Sequence, residues 1–371
     1  MPGPRTECAV SALRISLLSA SLHIAVTVDP YIPVPPKFYG GIERAVDIVV
    51  RGLAARHHTI TLFAHPESTV ACKLIPYGNP PHFGLKPRVT ELSQVGYRLW
   101  RHRNDFDVVL SWGRLAALLP VLPVNSLPKL QRYCRPSVPW NSIRIASRIA
   151  GQSIGFIGAS GSVYRDGLRR GKGQWHTIYD CVELNKYTFV PSLPPDAPYV
   201  FLGRIERIKG THDAIAIARR AGHRLVIAGN RVNSPEAEEY FNNEIAPHID
   251  GDRVVYVGPV DDAQKNEILG RARTLLMPVD VEEAFGIVMA EAMACGTPVI
   301  GFARGSVPEV IVDGLTGFVC RDVDEALTAV GRLDEIDRAA VRADCEARFA
   351  DTVVVEAYDR LCREMVATCR R

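Results

Sequence analysis

Glu283-Ala-Phe-Gly-Ile-Val-Met-Ala-Glu291, continuing as Ala292-Met-Ala-Cys-Gly-Thr-Pro-Val-Ile300, is the stretch on which the reading of this chain turns. Before it, the apolar run Arg273 to Val279 (RTLLMPV) predicts a buried strand. Pro278, Asp280 and the Glu282-Glu283 pair break that strand, and Gly286 starts a helix of Ile, Val, Met and Ala. One acid therefore stands in a loop ahead of a helix N-terminus and the other about one turn into the helix. Amides from Phe285 through Gly286 and Ile287 to Val288 would face outward there, and the helix dipole favours an anion. Carboxylates accept hydrogen bonds from hydroxyls while backbone amides hold phosphate. A ligand with hydroxylated groups at both ends and phosphate between them suits this layout, and a nucleotide sugar has that shape. Two Glu at this spacing alone could equally be solvated helix-end charges.

Outward from this stretch, the chain alternates strands and helices in two series. In the first, Leu22 to Val28 (LHIAVTV) reads as a strand, and PYIPVPPKFYGGIER leads into a helix with apolar Ile42, Ala45, Val46, Val49 and Leu53. Short runs at 59–64, 107–111, 129–133 and 153–158 continue the pattern. Gly155-Phe-Ile-Gly-Ala-Ser-Gly161 has G-x-x-G-x-x-G spacing, not the dinucleotide-binding G-x-G-x-x-G, and reads as strand and turn. The Pro-rich segment from Tyr179 to Pro198 reads as a linker. The second series has strands at 198–203, 223–228 and 253–258 with helices at 211–221, near 235–246 and at 262–272. The expected architecture is α/β, two Rossmann-like doubly wound domains. Their bounds are a 1–21 extension, 22–190, 191–350, and a final 351–371 helix.

Two more loops carry phosphate chemistry. Gly203-Arg204-Ile-Glu-Arg-Ile-Lys209-Gly210 follows a strand, at the end where open α/β sheets bind ligands, and two cations there would neutralise a diphosphate. Gly40-Gly41 stands between the first strand and first helix, where glycine lets backbone approach phosphate.

The string EEAFGIVMAEAMACGTPVIGFARGSVPEVIVDGLTGFV closely resembles the C-terminal signature of glycosyltransferase family 4, the retaining GT-B glycosyltransferases. The Gly203–Gly210 loop resembles that family's G-R-x4-K-G string, and GGIER at Gly40 resembles its donor-phosphate GGxE loop. The resemblance runs from Leu22 to about Ala367. It implies a GT-B fold, two such domains facing an interdomain cleft, with a last helix crossing back to the first domain. It implies transfer from a nucleotide-diphosphate sugar, UDP- or GDP-linked, to a glycan, glycolipid or small-molecule acceptor, with retention and without a protein nucleophile. Under it Glu291 binds the ribose hydroxyls and Glu283 the sugar hydroxyls. Amides of Phe285 to Val288 bind phosphates and sugar, and Arg204 and Lys209 the diphosphate. Glu283, Arg204 and Lys209 are the catalytic candidates. Gly229, Asn230 and Tyr256 to Val260 border the base. No metal or other cofactor is expected; Asp322-Val-Asp324 reads as a helix N-cap. The chain departs from the family at Arg132-Tyr-Cys134-Arg-Pro136, where Cys134 stands in place of a His lining the acceptor side. That bears on the acceptor chemistry and leaves donor binding intact, and it makes a catalytically silent nucleotide-sugar binder the rival reading.

Composition narrows the remaining classes. The chain has 371 residues, 47% hydrophobic and 23% charged, as in ordinary globular domains. No apolar run reaches the length of a spanning helix. The nine Cys form no C-x-x-C pair, which argues against a zinc site or disulfide framework and for a reducing cytoplasm. Residues 1–185 carry 22 Lys+Arg against 11 Asp+Glu, and residues 186–371 carry 22 against 30. The basic half suits an anionic membrane face or a phosphate-bearing acceptor. In particular TELSQVGYRLWRHRN, with Leu92, Val95, Tyr97 and Trp100 beside Arg98, Arg101 and Arg103, reads as an amphipathic surface helix. Nucleic acid is not indicated, since the basic residues are dispersed. The first 21 residues hold Arg14 inside a short apolar stretch and read as an extension, not a leader.

Overall fold

The computed structural model describes residues 20–36, 40–78, 85–135 and 138–370, with side chains omitted for 85–88. Most of the expected 1–21 extension lies outside the described residues. The chain divides into two compact units, residues 1–179 with 351–371, and residues 180–350.

The first unit holds a parallel seven-stranded sheet: β1 His23–Thr27, β2 Thr59–Ala64, β3 Lys73–Pro76, β4 Val108–Ser111, β5 Lys129–Tyr133, β6 Ile154–Gly158 and β7 Gln174–Thr177. Their order is β3-β2-β1-β4-β5-β6-β7, so the winding reverses between β1 and β4, which pair in register as Ala25↔Val109 and Thr27↔Ser111. Strands buried on both faces need mostly apolar residues, and the centres of β1, β2 and β4 supply them. Sequence alone did not single out β3 and β7, which are only four residues each.

β5 is completely buried although it reads Lys-Leu-Gln-Arg-Tyr. Lys129 survives there because Nζ donates to the carbonyls of Val121 (3.2 Å), Leu122 (3.3 Å) and Val124 (2.9 Å) and to Ser153 Oγ (2.8 Å). The Val121 and Leu122 carbonyls stand at the end of the 3-10 segment Leu115–Val121, so the ammonium acts as its C-terminal cap. Burial nevertheless lowers its pKa to about 8.

Helices α1 (Gly41–Ala55), α2 (Leu85–Arg101) and α3 (Trp140–Ala150) belong to this unit. α1 buries Val46, Val49, Val50 and Leu53 on one stripe. Gly52 lies on that helix where a Cβ would come within 2.6 Å of Val355, so its missing side chain admits the C-terminal helix, Asp351–Cys369. The latter buries Val354, Val355, Tyr358, Leu361, Cys362, Met365 and Val366, the spacing of one helical face. Burial of each large apolar side chain contributes roughly 1.5–3 kcal/mol, which fixes this segment to the first unit. On α2 the expected stripe splits: Val95 and Leu99 face inward, whereas Tyr97 and Trp100 are exposed.

The second unit holds a parallel six-stranded sheet: β8 Tyr199–Leu202, β9 Leu225–Ala228, β10 Val254–Gly258, β11 Thr274–Met277, β12 Val299–Phe302 and β13 Gly317–Cys320. The order β10-β9-β8-β11-β12-β13 repeats the scheme of the first sheet, with the reversal between β8 and β11. Its helices include α4 (Thr211–Ala221), α5 (Asp262–Gly270), α6 (Ile287–Ala294) and α7 (Arg338–Phe349). α5 opens on a capping box between Asp261 and Gln264. α6 is apolar on nearly all sides and is correspondingly buried from Met289 to Ala294. Asp322 caps the following helix through the amides of Asp324 and Glu325.

The division at 179/180 precedes the 190/191 boundary drawn from Pro density, because the linker docks on the second unit. Val182 N–H donates to Phe349 O (2.9 Å), Thr188 N–H to Asn266 Oδ1 (2.8 Å) and Val190 N–H to Cys295 O (3.1 Å). Arg338 then closes the joint by donating to the carbonyls of Val190, Ala272 and Gly270.

Candidate active site

In the second unit the loops after β8 and β11 flank the reversal point, the place where sheets of this winding bind ligands. Two contacts join them at close range. Asp280 N–H donates to Ile208 O (2.9 Å), and a Cβ at Gly210, φ +73°, would stand 1.8 Å from Pro278 O. Glycine is therefore required at 210 for both reasons. Across this seam Lys209 Nζ meets Glu283 Oε2 at 2.5 Å, with both side chains largely buried. Arg204 pairs with Glu206 at 2.7 Å and remains 41% exposed at its side chain.

Gly203 and Gly229 meet at the C-terminal edge of the sheet. A Cβ on Gly229 would lie 1.8 Å from Gly203 O. Gly229 N–H donates to Gly258 O (2.9 Å), its carbonyl accepts from Tyr256 OH (2.9 Å), and Asn230 O accepts from Ile205 N–H (2.9 Å). The structure thus gathers Gly203, Arg204, Lys209, Gly229, Asn230 and Glu283 along one sheet edge. Ser306 N–H donates to Glu283 O (2.9 Å) and Gly305 N–H to Glu282 Oε2 (2.8 Å), which anchors the acidic loop from the side of β12.

Gly286, φ +72°, begins α6, and Ile287 and Val288 form its first turn. The Phe285 ring is buried edge-on against Phe349 with centroids 5.4 Å apart. Glu291 is 5% exposed. Its Oε1 accepts from Tyr187 OH (2.8 Å) and from Lys265 Nζ, which also lies 5.6 Å from the Tyr187 ring centroid. Neither Tyr187 nor Lys265 was singled out by sequence. Tyr187 is in the linker, and Lys265 is one polar residue of a polar helix, so only the fold reveals that both serve Glu291.

Gly40 and Gly41 belong to the first unit. Gly40 precedes α1 and its carbonyl accepts from Arg44 N–H (2.9 Å); at Gly41 a Cβ would meet nothing within 4 Å. The same unit has a cavity of about 480 Å³ at its own reversal point, between the ends of β1 and β4. Asp29 and Glu43 line it, both with pKa raised by burial, together with Arg114, Arg132 and Arg135. Arg114 stands 3.5 Å from Asp29. Cys134 lines the cavity too, with its sulfur 3.1 Å from Arg132 Nε.

Comparison with known proteins agrees with this organisation. Residues 190–336 match the family model described as Glycosyl transferases group 1. The chain is similar to glycogen synthase of Mycobacterium tuberculosis, 25% identical over 85% of this chain and 87% of that protein. It is also similar to D-inositol 3-phosphate glycosyltransferase of Mycolicibacterium smegmatis, 34% identical over 44% of this chain and 40% of that one. Among solved structures, sucrose-phosphate synthase from Thermosynechococcus elongatus superposes with a TM-score of 0.74 at 20% identity, covering 94% of this chain and all 100% of that one. HepE of Anabaena, in complex with UDP-glucose, gives 0.70 at 15% identity over 94% and 100%. Two parallel sheets of this order give the chain a GT-B fold, and residues 190–336 of its second unit are similar to the glycosyl transferases group 1 domain.

Proposed function

We propose that the chain is a retaining hexosyltransferase that moves a sugar from a nucleotide-diphosphate sugar, UDP- or GDP-linked, to a hydroxyl of a glycan, glycolipid or small-molecule acceptor. The observation that carries this is the Lys209–Glu283 pair, a cation and a hydroxyl acceptor side by side at the reversal point of the group 1 domain. Lys209 and Arg204 neutralise the diphosphate, Glu283 accepts from the sugar hydroxyls, and the first amides of α6 meet the phosphates. Glu291, oriented by Tyr187 and Lys265, accepts from the ribose. Gly229 and Asn230 border the base, and Gly40-Gly41 receives phosphate at the start of α1. A named relative, glycogen synthase, and the UDP-glucose complex of HepE support the donor class.

In the reaction the bond from the anomeric carbon to the diphosphate oxygen breaks. A bond to the acceptor oxygen forms on the same face, and the acceptor proton passes to the leaving diphosphate. The charge that builds on that leaving group is met by Arg204 and Lys209, so no metal is required. Losing one preorganised donor of this sort costs about 10²- to 10³-fold in rate. The work is placed in the cytoplasm, with the exposed face of α2 on an anionic membrane surface; among the described residues no helix is long and apolar enough to cross a membrane.

A thermal-shift panel of UDP-, GDP- and ADP-sugars tests the donor site. One nucleotide class should raise the melting temperature of the wild type and fail to raise that of Glu291→Ala, since a ligand bound only to the folded state stabilises it. No shift with any nucleotide sugar would remove the basis of the proposal. The substitution of Cys134 for the family His favours one rival, a silent donor binder, and turnover of the stabilising donor decides between them.

A further inference from the structure

The first unit's cavity is built unlike a groove for a sugar chain. Its charged groups, Asp29, Glu43 and Arg114 among them, gather at the strand ends, while the opposite walls come from the 3-10 segment Leu115–Val121 and from α3. Those walls are mainly apolar: Leu115, Leu119 and, just past the segment, Leu122 on one side, Ile145 and Ala146 on the other, with Ser142 the polar exception on α3. Leu119 and Ile145 are 56% and 59% exposed, so the apolar lining continues out to the mouth. A polyhydroxylated chain would leave hydroxyls against these walls without partners, which is unfavourable. A molecule with an apolar body and one hydroxylated polar end finds a counterpart for both kinds of lining, and about 480 Å³ is the size of a small-ligand site.

We propose that the acceptor is such an amphiphile. Its apolar body lies between the leucines of the 3-10 segment and Ile145, with its hydroxyl end toward Asp29, Glu43 and Arg114. This rests on the glycosyl-transfer reading and narrows its acceptor class. Asp29 and Glu43 accept from the hydroxyl head, and the apolar walls set how long a body is taken.

The test uses the full chain without donor and compares methyl glucoside with n-octyl glucoside, kept below micelle formation, by titration calorimetry. Octyl glucoside should bind at least about 10-fold more tightly, since each buried methylene is worth about 0.8 kcal/mol. Ile145→Asp should weaken the octyl compound by about 10-fold. Ile149→Asp, on the same helix, 46% exposed and outside the cavity wall, should leave it unchanged. Equal affinity for the two glucosides overturns the proposal, and so does an equal loss in both variants, which would mean adsorption to apolar surface. The donor-induced thermal shift is read separately on the wild type and on Ile145→Asp. Its absence from the wild type would sink the donor reading while the alkyl binding stands or falls by itself.

Discussion

Gly210 and Gly222 share a φ of +73° but not their surroundings. At Gly222 a Cβ meets nothing within 4 Å, whereas at Gly210 it would strike Pro278 O at 1.8 Å. Gly222→Ala should therefore cost only the left-handed penalty of about 1–2 kcal/mol. Gly210→Ala should cost at least about 2 kcal/mol more, because the β8 and β11 loops must part, and it should weaken donor binding as well. Urea denaturation of both variants checks this; equal losses would mean the seam is not tight. Gly210 and Lys209 were legible in the sequence because a strand end, a glycine and two cations fall in one short string. The support of Glu291 by Tyr187 and Lys265 was not, because those residues lie 104 and 26 positions away and neither has a local signature. The expectation at Phe285 concerned its amide alone, and the burial of its ring against Phe349 is a packing matter that local sequence does not announce.

At the level of elements, the C-terminal helix is tied to β2 through a polar joint as well as its apolar face. His58 Nδ1 accepts from Leu22 N–H (3.0 Å), so the ring proton sits on Nε2, which faces Asp359 Oδ1 at 3.0 Å. Arg363 Nε donates to the same Asp359 at 2.5 Å and Arg56 adds further positive charge nearby. Burial first, and those arginines after it, lower the His58 pKa below its ordinary value, against the pull of Asp359. In the unfolded chain His58 takes up its proton near pH 6.5, before it does in the folded state. Its contribution is thus present above about pH 6.5 and is lost as pH falls toward the folded value. Denaturant midpoints at neutral and mildly acidic pH should fall more steeply for the wild type than for His58→Gln; parallel slopes would rule the joint out. The periodic helices were readable from sequence, whereas this last one was expected from the family resemblance. β5 was expected at 129–133, although its burial depends on Lys129 capping a 3-10 segment that no periodicity announces.

Over the whole molecule the two units carry opposite charge. Residues 1–179 with 351–371 have 26 Lys+Arg and 13 Asp+Glu, and residues 180–350 have 18 and 28. On the basic unit α2 exposes Val89, Tyr97 and Trp100, with Arg103 4.7 Å over the Trp100 ring. Phosphatidylglycerol vesicles should therefore retain the protein at low salt and release it near 1 M salt, where the screening length is about 3 Å. Tyr97→Ala with Trp100→Ala should weaken retention without moving the donor-induced thermal shift. Retention that ignores both salt and these rings would count against a membrane face. The alternation of elements revealed the two-sheet plan in sequence, while the exact joint did not follow from Pro density, because docking of Val182 and Val190 is a tertiary matter.

The first unit is assembled from the two ends of the chain, with His58 and Asp359 separated by 301 positions. A ribosome adding about 5–20 residues per second makes the β2 end of that joint roughly 15–60 s before its partner exists. The second unit is complete in sequence before the first. During that interval the stripe of α1 that receives Val355 has no cover, so the unit begun before the other is the later of the two to finish folding. Nascent chains stalled anywhere before residue 351 should be the forms most in need of a chaperone.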